Sequence, residues 1–418
     1  MTGAGRDKEI GRDVRMRGFS ARATVEAALA WIDGQAAPLA PEVVPLDALH
    51  GRVLAADVHS TIDVPPFDRS AMDGYALRGA ETNGAGDYNP LSFAIVGQAM
   101  PGRPYEAVVG PGCAVRIMTG APLPAGADAV VPAEFATERE GRVEITAPLA
   151  PGKHVGRRAE DVAEGALLLG AGRRLRAQDV GLLASIGLDH ASVVRQPRVR
   201  IVVTGDELAV PGMPKGLHQI YDANSSMLCG LVQRDGGVLE AVVRVADRRD
   251  AIRDAICAPG IDVVLVSGGS SVGSEDHAPG ILAEAGELGV HGVAMRPSSP
   301  AGFGRIGDVR VFLLPGNPVS CLCAYDFFAG RALRILGGRD PGWPHAVRRV
   351  RLARKIASQV GRVDYCRVRL GEDGAEPLAL SGASILSSTT RADGFVIVPA
   401  DSEGQPAGAD VDVYLYQP

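Results

Sequence analysis

Apolar positions change their spacing several times along the chain, and each change predicts a different kind of element. Over residues 20–33, SARATVEAALAWID, the residues Val25, Leu29 and Ile32 recur at helical spacing, and Ser20 or Thr24 stands where an N-cap belongs. From about residue 47 to 155 the apolar runs are short and broken by Gly and Pro: SFAIVG, CAVRIMTG, DAVVPAE and RVEIT predict a small all-β domain. AQDVGLLASIG (177–187) predicts a helix stopped by Gly187. Strand and helix then alternate through residues 198–336. The continuously apolar runs VRIVVTG, VLEAVVRVA, IDVVLVSGG and VRVFLLPGNP predict strands covered on both faces. NSSMLCGLVQRDGG, DRRDAIRDAICA, DHAPGILAEAG and PVSCLCAYDFFAGRALRIL predict the helices, with Asn224 as N-cap and Gly236 as stop of the first. This alternation is that of a doubly wound, mostly parallel α/β sheet. After about residue 341, AVRRVRLA, VDYCRVRL, GFVIVPA and DVDVYLY return to strand texture and predict a second small β-barrel or sandwich.

A length of 418 residues exceeds one ordinary core, in keeping with an α/β plus β multidomain fold. The net charge of −6 offers no overall basic field for nucleic acid, so attraction for an anionic ligand has to be local. The six cysteines form no C-x-x-C pair, and Cys321 and Cys323 fall in an apolar helical pattern; reduced, buried thiols and a cytoplasmic protein are expected. Residues 1–19 are polar and aperiodic, the texture of a disordered tail without a secretory h-region. No apolar run approaches the roughly 18 residues needed to cross a bilayer, so no membrane partner is expected.

Ligands of open α/β sheets bind at the carboxyl ends of the strands. Three unusual loops fall at such ends: TGDELAVPG (204–212), SGGSSVGSEDH (267–277) and LPGNPVS (314–320), with IYDANSS (220–226) opening a helix on the same side. Successive small residues let backbone N–H groups converge as an anion nest. Asp206, Glu207, Asp222, Glu275 and Asp276 on the same loops oppose an anion; at an effective dielectric of about 20, like charges 4 Å apart cost about 4 kcal/mol. A hard cation between carboxylates and phosphate resolves that conflict, and Mg²⁺ is the natural one. GGSSVG has the glycine spacing of a P-loop, but Ser274 and Glu275 replace its Lys and Ser/Thr, which excludes an ordinary NTPase. GAGRRL (170–175) lacks the third glycine and the preceding strand of a dinucleotide fingerprint.

PPFDRSAMDGYA, RIMTGAPLPAGADAVV, RRAEDV, VTGDEL, IYDANS, VSGGSSVGSEDH and LPGNPVS occur in this order across nearly the whole chain. In these motifs the sequence resembles the molybdopterin molybdenumtransferase (MoeA) family, whose eukaryotic relatives include gephyrin. The resemblance implies a linking domain (20–46 and 156–197), a β domain (47–155), a doubly wound α/β molybdopterin-binding domain (198–340) and a C-terminal β-barrel (341–418). It implies a homodimer whose site is completed by the partner's FDRSAMDG loop. It further implies Mg²⁺-dependent insertion of molybdate into adenylylated molybdopterin with release of AMP, and transient contacts with the supplier of that substrate and with molybdoenzyme maturation factors. Carried over by motif, Asp68, Thr119, Asp161, Glu207, Asp222 and Asp276 are the functional acids and hydroxyl, with Glu207, Asp222 and Asp276 engaging Mg²⁺ or activating water. Gly268, Gly269, Ser270, Ser271 and Gly273 would cradle phosphate, Pro315 and Pro318 shape the floor, and Ser320 cap the following helix. The family stretch KPGKP is RPSSP (296–300) here, so Arg296 and Ser299 stand for two molybdate-holding lysines, and Arg367 and Ser384 are expected to take a larger share. The alternatives are a non-catalytic molybdopterin-binding scaffold on the same fold and a tungstate-specific paralogue.

Overall fold

The computed structural model describes residues 22–269, 276–379 and 382–416. The expected tail 1–19, and the nest residues Ser270, Ser271 and Gly273, lie outside the described residues. The chain divides into two compact units, one of residues 43–50 and 54–192, the other of residues to 42, 51–53 and 193 onward.

The first unit is built on a six-stranded sheet with the order Ala129–Pro132, Gly74–Leu77, Cys113–Ile117, Leu91–Ala99, Arg142–Ile145 and Ala136–Arg139. Four of its strands are those read from the short alternations, Gly74–Leu77 and Ala136–Arg139 being additional, and Leu77, Phe93, Ala114, Val131, Val143 and Ile145 form one core. Two-stranded ribbons extend it: Arg69–Ser70 pairs with Val155–Gly156, and Val58–His59 with Leu167–Leu169. The helix Ala177–Ser185 ends before Gly187, which takes φ +81° as a helix stop requires.

The second unit contains the α/β sheet. Its strands are β1 (Arg198–Thr204), β2 (Val238–Val245), β3 (Val263–Ser267), β4 (Glu287–His291), β5 (Gly302–Ile306) and β6 (Val309–Leu314). They lie in the order β2-β1-β3-β6-β5-β4; the first four are parallel, β5 runs antiparallel to β6, and β4 at the edge runs antiparallel to β5. Alternation within the apolar runs sends side chains to two cores. Val199, Ile201, Val203, Val263, Leu265, Phe312 and Leu314 pack beneath the helices Val25–Gln35, Asn224–Arg234 and the run from Pro318 to Leu336. Val202, Val264, Val266, Val311 and Leu313 pack beneath Arg249–Cys257 and Ala278–Ala285. Both faces of β1, β3 and β6 are therefore covered, which is why they read as continuous apolar runs, whereas the edge strand β2 has no buried residue despite its apolar run.

Thr24 caps the first helix by accepting from the Ala27 N–H at 3.1 Å. That helix packs on the α/β sheet, within the unit of residues to 42, 51–53 and 193 onward. The long last helix contains a π-helical turn at Tyr325–Ala329. The C-terminal sheet follows the path Met295–Arg296, Val363–Gly371, Gly394–Val398, Asp410–Leu415, Val347–Arg351, with Gly374–Ala379 also on Val363–Gly371 and a single bridge from Leu352 to Ala375. Among the described residues its ladder is an open path, short of a fully closed barrel.

Cys321, Cys323 and Cys366 are buried and unbridged. Burial pushes the Cys321 and Cys366 thiols up to about 12 and that of Cys323 well above the ordinary range. A thiol reagent at neutral pH is expected to modify the exposed Cys257 first and to spare these three until the protein unfolds, which peptide mapping after timed labelling checks.

Candidate active site on the α/β sheet

The strand order reverses between β1 and β3, and the loops leaving those strands and β6 meet at the switch point. Gly268 follows β3 with φ +96°, and its N–H donates to Leu314 O at 3.2 Å. A Cβ at Gly268 would lie 2.4 Å from Thr204 O, so only glycine permits this approach of the β1 and β3 ends. Asn224, at the start of its helix, ties the third loop in: its amide N–H group donates to Ser267 Oγ at 2.9 Å and to Gly316 O at 2.8 Å.

Three cavities with shared walls open along this edge. The central one, about 270 Å³, is lined by Thr204, Gly205, Glu207, Asp247, Gly268, Gly269, Asp276, Pro300, Pro315, Gly316 and Asn317. It is acidic, with Glu207, Asp247 and Asp276 in its wall. Asp247 is braced by Thr204 Oγ1 and by the Asp206 N–H. The Glu207 carboxylate has no hydrogen-bond or ion-pair partner among the described residues. A second cavity of about 510 Å³ shares Glu207, Gly268 and Asn317 and adds Leu208, Ile220, Tyr221, Asp222, Asn224, Ser267, Pro318 and Ser384. Ser384 Oγ donates to Asn317 Oδ1 at 2.8 Å, fixing this corner. The third, about 870 Å³, shares Pro300, Pro315 and Asn317 and carries Arg22, Arg296 and Arg362, with no carboxylate among its lining residues. Ser299 and Ser320 line it too.

Several residues stand differently from expectation. Asp222, expected as a metal ligand, is buried and committed: it accepts from the Ser225 N–H at 3.0 Å and hydroxyl at 2.5 Å, and Arg244 Nη2 lies 3.0 Å from its Oδ2. It satisfies an N–H of the first helical turn, a role expected of Asn224, whose backbone is already helical and whose side chain bridges loops instead. Ser320 is likewise inside its helix rather than at the cap. Arg367 is fully buried in the C-terminal sheet and lines none of the three cavities. Arg362, which sequence reading passed over, lines the basic cavity, with Asp364 behind it. The third residue of RPSSP, glycine in the family stretch, is Ser298 at φ +87°; its hydroxyl donates to Ser320 O at 2.5 Å, one compensation for the left-handed backbone.

The other unit gathers the remaining expected residues on its own loops. The segment at Asp68–Ser70 runs along Gly120–Leu123 through backbone hydrogen bonds. Asp68 accepts from the Arg158 N–H at 2.8 Å and from Arg157 Nη1 at 2.9 Å. Those bonds, the Arg158 N–H foremost, hold its carboxyl below the usual range. Asp73 accepts from both the N–H and the hydroxyl of Thr119 at 2.7 Å, so the Thr119 hydroxyl is oriented by a neighbouring carboxylate. Asp161 is exposed, and its N–H donates to Val64 O at 3.1 Å. Phe67, Met72 and Met118, beside these polar groups in sequence, are also exposed, at 41%, 37% and 38%.

Among the described residues no three His, Cys, Asp or Glu side chains are grouped to hold a metal ion by themselves. Mg²⁺ requires only one or two carboxylates when phosphate oxygens and water complete its shell, and Glu207 and Asp276 on one small cavity fit that requirement.

Comparison with known proteins agrees over most of the chain, from residue 23 to 416. Residues 23–187 match the MoeA N-terminal region (domain I and II), 200–334 a probable molybdopterin binding domain, and 349–416 the MoeA C-terminal region (domain IV). Molybdopterin molybdenumtransferase 2 of Mycobacterium tuberculosis is 35% identical over 386 residues, covering 90% of this chain and 95% of that one. Molybdopterin molybdenumtransferase of Haemophilus influenzae is 30% identical over 387 residues, covering 90% and 94%. A crystal structure of the molybdopterin biosynthesis MoeA protein of Pyrococcus horikoshii superposes with a TM-score of 0.81 at 33% identity, covering 95% of this chain and 100% of that one. On sequence and on fold alike, this chain belongs to the molybdopterin molybdenumtransferase (MoeA) family.

Proposed function

We propose that the protein is a transferase of molybdenum cofactor biosynthesis that inserts molybdate into adenylylated molybdopterin, giving molybdenum cofactor and AMP. The observation that carries this reading is the division of one crevice into three chemically distinct parts. The cavity of about 510 Å³ pairs apolar Leu208, Ile220 and Tyr221 with polar Asn224, Ser267 and Ser384, a match for a pterin. The acidic cavity beside it would receive the phosphate end of the substrate, with Glu207 and Asp276 holding Mg²⁺. When bound, the cation supplies neutralisation of the phosphate charge and polarises the bond to be cleaved. Gly268 and Gly269 bring backbone close to that phosphate, and Pro315 forms a wall common to the acidic and basic cavities. The arginine-lined cavity would take molybdate, with Arg296 and Ser299 in the places of the family's lysines and Arg362 as a further cationic donor.

The same reading gives a cytoplasmic homodimer with four domains bounded as the sequence suggests, a C-terminal barrel, and sites completed in trans by the Asp68, Thr119 and Asp161 loops. The exposed Phe67, Met72 and Met118 support it, since apolar side chains around oriented polar groups favour burial against a second copy. Contacts with the supplier of adenylylated molybdopterin and with maturation factors would be transient. No helix of the described residues is long and apolar enough to cross a membrane. Incubation with adenylylated molybdopterin, molybdate and Mg²⁺ is expected to release AMP and to yield cofactor that reconstitutes a molybdenum-free apoenzyme. Tight binding of the pterin without either product would make the protein a scaffold instead.

A further inference from the structure

Behind the arginine-lined cavity is a carboxylate with no outlet to solvent. Asp364 is 0% exposed and does not line the cavity. It nevertheless holds two residues that do. Arg296 and Asp364 are direct partners in the parallel ladder between Met295–Arg296 and Val363–Gly371, and Arg296 Nη2 bonds Asp364 Oδ2. Arg362 Nε lies 3.3 Å from Asp364 Oδ1, an ion pair without hydrogen-bond alignment. Ser358 Oγ donates to Oδ2 at 2.7 Å and fixes the carboxylate from a third direction.

We infer that Asp364 is a positioning residue for the oxyanion, aiming the guanidiniums of Arg296 and Arg362 into the cavity. This rests on the reading of that cavity as the molybdate site. A guanidinium is planar, so the hydrogen-bonded edge of Arg296 fixes the direction of its other N–H groups, and the ion pair draws Arg362 toward the same carboxylate. Both arginine side chains are 30% exposed, enough to present those groups outward, while the carboxylate stays behind them. One carboxylate against two guanidiniums leaves the cluster with a surplus positive charge, and Arg22 adds a third guanidinium to the wall. Free arginines would have to be ordered by the anion itself, at a cost in rotamer entropy that Asp364 removes beforehand. The ligand class that fits is a tetrahedral dianion.

Two simpler roles for Asp364 give different signs. A carboxylate that merely repels anions predicts tighter binding when it is neutralised. A carboxylate that merely joins the α/β loop to the C-terminal sheet predicts lower thermal stability with unchanged affinity. The test is equilibrium dialysis of molybdate alone against the full chain, with thermal melting in parallel. Asp364→Asn is expected to raise the molybdate Kd about tenfold, and to add nothing when Arg296→Ala and Arg362→Ala are already present, because it acts through them. Should Asp364→Asn fail to fold, Ser358→Ala removes one anchor and is expected to raise Kd about two- to threefold. Tighter or unchanged binding in these variants, or an undiminished loss in the double-arginine background, overturns the positioning role. If Arg362→Ala weakens binding while Asp364→Asn does not, the oxyanion cavity stands and Asp364 alone is dismissed; a wild-type chain that binds no molybdate overturns both.

Discussion

Asp276→Asn is expected to lower Mg²⁺-dependent AMP release at least 100-fold, about 2.7 kcal/mol or more of transition-state stabilisation. The reason is the acidity of the small central cavity. Glu207, Asp247 and Asp276 all line it, and Asp247 is already engaged by Thr204 and the Asp206 N–H. A phosphate entering such a space meets like charge at a few ångströms, worth about 4 kcal/mol per close pair at an effective dielectric of about 20. Only a cation shared between carboxylate and phosphate reverses that sign, and Asp276, just ahead of the helix Ala278–Ala285, is placed to share it with Glu207. Asparagine keeps the size and the hydrogen-bonding oxygen but removes the charge, so the loss should be mainly in kcat and in the Mg²⁺ concentration giving half-maximal rate. Glu207→Gln should show the same pattern. Unchanged AMP release in Asp276→Asn would remove that residue from the chemistry and leave Glu207 as the sole candidate.

What was readable in advance follows from periodicity. Strand β1 places Val199, Ile201 and Val203 on one core and Val202 on the other, and the uninterrupted run VRIVV already demanded two covered faces. The convergence of the three loops was readable for the same reason, because parallel strands put their carboxyl ends on one edge. Side-chain commitments were not readable. Asp222 and Asn224 are two residues apart and both suit a cap; the choice depended on Arg244, supplied by a different strand, and on Gly316 O, supplied by a distant loop. In the same way VDYCRVRL announces a strand but not which of its residues, or of those just before it, face a ligand. Arg367 turned out to be core, and Arg362 and Asp364 to form the arginine anchorage, because a tertiary pairing with Met295–Arg296 sets that register. Ser298 shows a further limit: nothing local in RPSSP declares a left-handed residue.

Two subunits that are each inactive should become active when combined. An Asp68→Ala chain is expected to be inactive because Asp68 braces Arg157 and Arg158, and with them the RRAED loop that carries Asp161. An Asp276→Asn chain is inactive for the reason given above. If the β-domain loops act on the partner's α/β edge, a heterodimer of the two has one site with both defects and one site with neither. Random pairing makes about half of the dimers mixed, each with one of two sites intact, so about a quarter of wild-type AMP release should return. Co-expression with two different affinity tags and sequential purification isolates the mixed dimer and raises the expectation to about half. The oriented Asp73–Thr119 pair and the exposed Phe67, Met72 and Met118 near it in sequence are the features that a partner's surface would cover, so burial of the two methionines against oxidation in the dimer is a second readout. A mixed dimer that stays inactive, with its methionines as reactive as in a monomer, places the whole site within one subunit and returns Asp68 to a bracing role in its own loop.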